Sequence, residues 1–380
     1  MKKETILTNA RIVTPEAVWP GTVRIREGRI QDMEVEDSRV PEALDLEGDY
    51  LLPGLIELHT DNLEKHYAPR PGVRWPSGAA AVAHDAALAA AGITTVFDAL
   101  SVGDTADNSM RLECLQDMAE AIQTTQAKGL LRCEHFLHMR CEIAYPHVID
   151  LFMNFINNPL VKLVSLMDHT PGQRQYARVE KLEEYLQIQY GFKQERIDQI
   201  MITRLEYQKT YAEKHRKELV QICRSFGYPI ASHDDATVEH VVEAARDGIV
   251  ISEFPTTLEA AKTARLLGMD VLAGAPNLVI GGSHSGNVSA LELGETRCLN
   301  ILSSDYVPGS ILQGIFLLHE KLSMPLHEAT ALSTCNPARV VHLTDRGAIE
   351  KGRRADLIRV KVEQGLPVVK KVWRNGQEIF

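Results

Sequence analysis

The sequence predicts an α/β protein: a (β/α)8 TIM-type barrel carrying a small β-sandwich domain formed by both termini. Three observations lead there. Short runs of alternating apolar and polar residues, separated by glycine or proline, fill positions 1–50 and return at the C-terminus. Between them, strand-like and helix-like segments alternate eight times. Finally, residues that ligate metals or bind anions collect at the ends of the strand-like runs.

In chain order, ILTNARIV, GTVRIREGRI and EALDLEG read as hairpin strands, and ADLIRVKV with PVVKKVWRNGQEIF repeats that pattern, Asn375-Gly376 marking a tight turn. Segments 1–50 and 347–380 are therefore assigned to one composite β domain, since chain termini commonly lie close together. Residues 51–346 are assigned to the barrel. Its strands are expected at 54–59, 94–99, 135–142, 161–169, 229–233, 249–254, 271–275 and 300–304. The Ala-rich stretch 78–91 reads as a helix ended by Gly92, and Leu112, Leu115, Met118, Ala119 and Ile122 share one helical face. A doubly wound open sheet is the alternative, but no GxGxxG follows the first strand. Between the fourth and fifth strands, residues at about 174–224 are charged and helix-favouring, too long for an ordinary connection. They form an insertion that is either a lid, a brace, or a contact between copies in a homo-oligomer.

A chain of 380 residues with 44% apolar content can bury a large core. The net charge of −10 argues against general binding to nucleic acid or to an anionic membrane. Six cysteines without a CxxC pair read as reduced thiols of a cytoplasmic protein. The N-terminus lacks a signal-peptide pattern, and no apolar run is long enough to span a bilayer.

The stretch 51–76 organises the functional reading. A strand entered through Pro53-Gly54 ends in His59-Thr60-Asp61, and a period of two sends His59 and Asp61 to one side. Neutral imidazole and carboxylate both ligate divalent cations. Other strand ends carry similar groups: His138, Arg140 and Glu142; Asp168-His169; His233-Asp234-Asp235; Glu253; and Asp305. In a barrel of this kind, chemistry sits at these C-terminal ends. Single histidines there also serve structure, so His138 and His169 stay open as ligands. His84-Asp85 lies in a helix pattern and reads as packing or support. His135 faces away from His138 by strand parity, and Asp234 and Asp235 either orient a neighbouring ligand or cap a helix.

LLPGLIELHTD, Asn336-Pro337-Ala338-Arg339 and GAIEKGRRADLI resemble the amidohydrolase superfamily. Runs such as EHFLHMRCE, LVSLMDHTPGQRQ, ASHDDAT and GAPNLVIGGSHSGNVSA are similar to its phosphonate-metabolism diphosphatases, over essentially the whole chain. The resemblance implies a metal-bearing barrel that hydrolyses a phosphorylated ribose phosphonate, a 5-triphosphate, to the 5-phosphate and pyrophosphate within the carbon–phosphorus lyase pathway. It also implies one or two divalent ions, zinc first, with manganese and magnesium open. Where many members have His-x-His on the first strand and a carboxylated lysine on the fourth, this chain has His59-x-Asp61 and no such lysine. His233 and Asp305 match the fifth- and eighth-strand positions. Glu142 is favoured as the bridging carboxylate, with Glu253 and His169 as second choices.

Asp305 is assigned as acceptor of the water proton. An acidic protein must meet a triphosphate with local positive charge, so Lys65, Arg70, Arg74, Arg140 and Arg174 are assigned to substrate, with Ser283, His284 and Ser285 as a second phosphate-binding loop. Two other readings stay open: hydrolysis of a C–N bond, as in a cyclic amidase or deaminase, and a non-catalytic barrel subunit.

Overall fold

A computed structural model describes residues 4–380 apart from 71, 105–109, 175–178 and 283–285. The N-terminal strands are β1 (Glu4–Val13), β2 (Val18–Arg26), β3 (Arg29–Glu34), β4 (Leu44–Asp45) and β5 (Tyr50–Pro53). Then come β6 (Leu55–Thr60), β7 (Ile93–Val102), β8 (Glu134–Glu142), β9 (Val161–Met167), β10 (Ile230–His233), β11 (Ile251–Glu253), β12 (Asp270–Gly274) and β13 (Ile301–Ser303). The chain closes with β14 (Leu357–Glu363), β15 (Leu366–Arg374) and β16 (Gln377–Glu378). The helices used below are α1 (Asn62–Tyr67), α2 (Ser77–Ala90), α3 (Met110–Ala127), α4 (Val148–Met153), α5 (Val179–Tyr190), α6 (Gln194–Tyr207) and α7 (Glu213–Phe226).

Both ends of the chain meet in one mixed sheet of order β16-β15-β14-β5-β1-β2-β3, with β4 beside β1. The short β5 runs parallel to β1 and antiparallel to β14, so it joins the N-terminal strands to the C-terminal ones. Immediately after it the chain turns at Gly54, where a Cβ would strike the Thr94 side chain. The absence of a side chain there lets β6 begin against β7.

The eight strands β6 to β13 pair in sequence order and in parallel. Each sends apolar groups inward: Ile56 and Leu58, Phe97, Phe136, Leu163, Ala231, Ile251, Leu272 and Ile301 form one cluster, and Ala338, Val340 and Val341 pack against it. A larger apolar shell lies between the strands and the surrounding helices, with Leu88, Leu115, Met118 and Ile122 buried in it. The barrel interior is therefore filled, and its open chemistry is confined to the strand ends.

Closure between β13 and β6 depends on few contacts. Thr60 bridges to Asp305, the Asp61 amide donates to the Asp305 carbonyl at 3.1 Å, and the Asp305 amide donates to the His59 carbonyl at 3.1 Å. Below them the buried Glu57 carboxylate accepts from the amides of His59 (2.7 Å) and Ser304 (2.6 Å) and from the Ser303 hydroxyl. Burial pushes the Glu57 carboxyl above the ordinary range, while these donors pull the other way. Near the same point β6 takes three steps, Glu57 to Thr60, while β7 takes two, Val96 to Asp98. This bulge breaks strict alternation and re-aims His59.

Between β9 and β10 the chain forms α5, α6, a π-turn at Gln208–Ala212, and α7. Leu182, Leu186, Ile197, Ile200 and Met201 give the α5–α6 pair its own small core.

Candidate active site

At the C-terminal ends of the barrel strands a continuous line of polar side chains crosses the mouth. Glu253 on β11 is fully buried, and its two oxygens each meet an imidazole Nδ1 at 2.7 Å, that of His59 on β6 and that of His233 on β10. His138 on β8 lies 4.0 Å from the same carboxylate and 5.3 Å from His59, ring to ring. Beyond His233, the Asp234 carboxylate is 3.3 Å from His233 Nε2 and 3.9 Å from His169 Nε2. The line ends where Glu142 accepts from His169 Nδ1 at 2.7 Å. Strand ends are shaped for this purpose: Asp234, Phe254 and Asp305 all adopt left-handed backbone, with φ of 56°, 52° and 54°. Each costs about 1 kcal/mol or more for a residue with a Cβ, which places strain where the side chains must converge.

Protonation follows from these contacts. Burial pushes His138 down to about 3 and His233 down to about 3, so both imidazoles are neutral at physiological pH. His138 Nδ1–H donates to the Leu58 carbonyl at 2.9 Å, which leaves Nε2 carrying a lone pair. That Nε2 is buried and has no hydrogen-bond partner among the described residues. Burial also disfavours charge on His59, but the adjacent Glu253 outweighs it and raises that group. Burial pushes Asp234 up to about 7, against the pull of His169.

Two groups of ligand-type atoms result: His59, His138 and Glu253, and next to them His169, His233 and Asp234, each with atoms within 4.8 Å of one another. One buried atom in each group, His138 Nε2 and Asp234 Oδ2, lacks a hydrogen-bond partner among the described residues. A lone pair on His233 Nε2 facing a carboxylate oxygen at 3.3 Å requires a proton or a cation between them. The donor set therefore fits a divalent cation of the kind imidazole and carboxylate bind.

The residues assigned from sequence are distributed unevenly. His59, Glu253, His169 and His233 come together. Glu142 reaches this cluster through His169, whose Nδ1 (2.7 Å) and amide (3.1 Å) both donate to its carboxylate. Asp61 stands above, 3.9 Å from Arg111, and is not part of either ligand group. Asp305 lies at the closing seam beside it, raised by burial and by Asp61, with His59 opposing. His138 and Asp234 belong to the ligand groups more directly than Asp61 or Glu142. The parity that placed His138 with Arg140 and Glu142 was the signal available for it; Asp234 had none beyond adjacency to His233.

The cations also divide. Arg140 is buried in the floor, its Nη2 3.5 Å from His233 Nε2, and its Nε has no hydrogen-bond partner among the described residues. By contrast, Arg174 is consumed internally: it donates to the His233 carbonyl at 2.9 Å and to Asp235 at 2.5 Å, so it holds the β10 turn rather than facing the mouth. Arg74 is paired with Glu113 at the surface, Lys65 donates to the Tyr306 carbonyl, and Arg70 is exposed. Arg111, not singled out from sequence, bonds Glu64 at 3.1 Å. Ser283, His284 and Ser285 lie outside the described residues.

A second polar network lies outside the barrel wall. Asp98 on β7 accepts from His84 Nε2 and from His135 Nδ1, each at 2.7 Å, and all three are fully buried. His135 Nε2 reaches Asp85 at 3.3 Å, and Asp85 accepts from the amides of Arg132 and Cys133 at 2.9 and 2.8 Å. Burial opposes charge on His135, but Asp98 and Asp85 outweigh it and raise the group to about 9. His84 Nδ1 meets Asn62 Nδ2 at 3.0 Å, tying this network to the residue that follows Asp61. Its ligand-type atoms also lie within 4.8 Å of one another, but they are hydrogen-bonded within the network, which braces the mouth.

Comparison with known proteins fits this geometry. The amidohydrolase family model matches residues 50–379. The alpha-D-ribose 1-methylphosphonate 5-triphosphate diphosphatase of Escherichia coli (strain K12) is 45% identical over 377 residues, covering 99% of this chain and all of that one. Among solved structures, N-acetylglucosamine-6-phosphate deacetylase from Pasteurella multocida superposes with a TM-score of 0.64 at 12% identity, covering 99% of both chains. A 5-methylcytosine deaminase from Klebsiella pneumoniae gives 0.63 at 16%, covering 99% of this chain and 98% of that one. At such identities the two structures speak for the fold.

Proposed function

The chain belongs to the amidohydrolase family, and we infer that it is a hydrolase of a phosphoric anhydride, converting alpha-D-ribose 1-methylphosphonate 5-triphosphate to the 5-phosphate and pyrophosphate. The observation that carries this is the 45% identity to the Escherichia coli diphosphatase along essentially the full length of both chains. The site geometry supports it. Glu142, Asp234, Glu253 and Asp305 crowd the mouth, and an acidic well of this kind holds a polyanion only when cations intervene.

One or two divalent ions held by the His59, His138 and Glu253 group and the His169, His233 and Asp234 group, with Asp61, Glu142 and Asp305 beside them, would acidify the attacking water and neutralise phosphoryl charge. An imidazole-rich donor set favours zinc, with manganese and magnesium as the other choices. The protein side of the reaction follows from the contacts. Arg140, buried and with an Nε that has no hydrogen-bond partner among the described residues, directs that N–H at the phosphoryl oxygens. Glu253 fixes the rings of His59 and His233 through Nδ1. Arg174 and Asp235 hold the β10 turn that presents His233 and Asp234. Asp305, at the seam and raised by burial, accepts a proton as water oxygen bonds to the α-phosphorus. The bond from the α-phosphorus to the bridging oxygen then breaks, and pyrophosphate leaves with that oxygen. Pyrophosphate is a good leaving group, so no strong general acid is needed.

Neutral amides, the substrates of the alternative C–N reading, give a buried guanidinium such as Arg140 no role. The six free cysteines, five of them buried, suit a reducing cytoplasmic compartment. Among the described residues, no helix is long and apolar enough to cross a membrane. The experiment is pyrophosphate release from the ribose triphosphate by the wild type and by Asp305→Asn. Turnover falls by two to four orders of magnitude in the variant with the fold intact, roughly the worth of a general base; near-normal turnover would remove Asp305 from this role.

A further inference from the structure

Beside the histidine cluster, a cavity opens beneath the α5–α6 pair. One wall comes from strand ends and loops of the barrel, including Glu142, Tyr145 and Thr170. The other is a single face of α6, where Arg196, Gln199, Ile200, Thr203, Arg204 and Tyr207 recur at steps of three and one. The cavity volume is about 80 Å³, several times the room that one water needs. The insertion thus turns a mixed stripe, with two guanidinium groups, two polar groups and an apolar patch, towards the strand ends. Thr170 Oγ1 in the opposite wall is buried and has no hydrogen-bond partner among the described residues. Glu142 is shared between this cavity and the cluster, since it also holds His169.

The charges in the cavity are of both signs. Glu142 is engaged with His169 and Asp104 lies in the field of Arg111, while Arg196 and Arg204 are the cations that the α6 face contributes to the lining. Phe192 and Ile200 supply apolar surface next to them. A group that is anionic on one side and carries a methyl on the other matches such a wall. The five-residue π-turn after Tyr207 re-phases the helix, so that α6 faces the cavity while His215, Leu219 and Cys223 of α7 pack inward.

We propose that this cavity binds the C1 methylphosphonate end of the substrate while the triphosphate lies over the histidine cluster, a reading that rests on the function inferred above. Arg196 and Arg204 contact the phosphonate oxygens, Thr170 donates its hydroxyl to the same group, and Phe192 and Ile200 receive the methyl. The insertion is then the element that selects the phosphonate ester over a plain ribose triphosphate.

The test uses full-length Arg196→Gln, on an exposed position, and Thr170→Val, which keeps the side-chain shape. Pyrophosphate release is measured with the methylphosphonate triphosphate and with ribose 5-triphosphate, and the ratio of kcat/KM is compared. Binding of alpha-D-ribose 1-methylphosphonate, which has no triphosphate, is followed by calorimetry. Each variant lowers the ratio roughly tenfold and weakens calorimetric binding by a similar factor, the worth of one charge-assisted hydrogen bond. An unchanged ratio with unchanged binding in both variants overturns the proposal. Should the wild type release no pyrophosphate from either substrate, the reaction assignment fails separately, and the calorimetry decides the cavity alone: binding weakened by Arg196→Gln sustains it, and absent or unaltered binding sinks it.

Discussion

Asp98→Asn probes the network that braces the mouth from outside the barrel. In the wild type both carboxylate oxygens are occupied by imidazole donors at 2.7 Å in a fully buried setting. An asparagine keeps the shape but offers one acceptor and turns an NH2 group towards the other imidazole. It also removes the leading charge that raises His135 to about 9. Breaking a buried pair of this kind costs about 3–5 kcal/mol. The shift of His135 from its ordinary value independently gives a contribution on the order of 3 kcal/mol. For a chain of this size, that corresponds to a fall in Tm of roughly 4–6 °C.

The pH dependence has a definite sign. Because the folded pKa of His135 is raised, its contribution is complete below its unfolded value near 6.5 and is lost as pH climbs through about 9. Asp98 is depressed by His135 and His84 despite burial, so its contribution is present above the ordinary carboxylate value and disappears as pH falls. Thermal unfolding at a fixed scan rate, at pH 6, 7.5 and 9, should show wild-type stability declining across that range and a flatter, lower curve for the variant. A Tm within about 1 °C of wild type at pH 6, or an unchanged slope, would refute the argument.

Three further outcomes follow from the same geometry. Arg140→Gln should lower kcat/KM for pyrophosphate release by about a hundredfold to a thousandfold with Tm little changed, because a buried donor aimed at phosphoryl oxygens is removed. His138→Gln should cut the divalent metal content of the purified protein, read by elemental analysis, more than His135→Gln does, since His138 Nε2 faces the cluster whereas His135 is consumed by Asp98 and Asp85. Chelation should abolish turnover, and readdition of zinc, manganese or magnesium should restore it and rank the three.

How much of this was legible in the sequence depended on what each residue answers to. Barrel strands answer to local pattern, and β6 to β13 fall within a few residues of the segments marked by alternation and strand-end punctuation. The turn at Asn375-Gly376, with both φ values positive, likewise follows from residue type alone. The site was harder. Strand parity put Asp61 beside His59, but the bulge in β6 re-aims His59 and leaves Asp61 near Arg111 and Asp305. Parity had no access to that register shift. Arg174 and Arg74 look like free cations in a loop, but their partners Asp235 and Glu113 come from distant segments. His138 and Asp234 carry no local mark that separates ligand from support; their buried, unpartnered atoms do so only after folding.

The most direct test of the proposed chemistry is the fate of solvent oxygen. Hydrolysis of alpha-D-ribose 1-methylphosphonate 5-triphosphate in 18O-enriched water, followed by phosphorus NMR or mass spectrometry of the products, locates the bond formed by the attacking water. Attack at the α-phosphorus predicts one labelled oxygen in the ribose 5-phosphate product and unlabelled pyrophosphate. Label in the pyrophosphate, or release of orthophosphate as the first product, would contradict it.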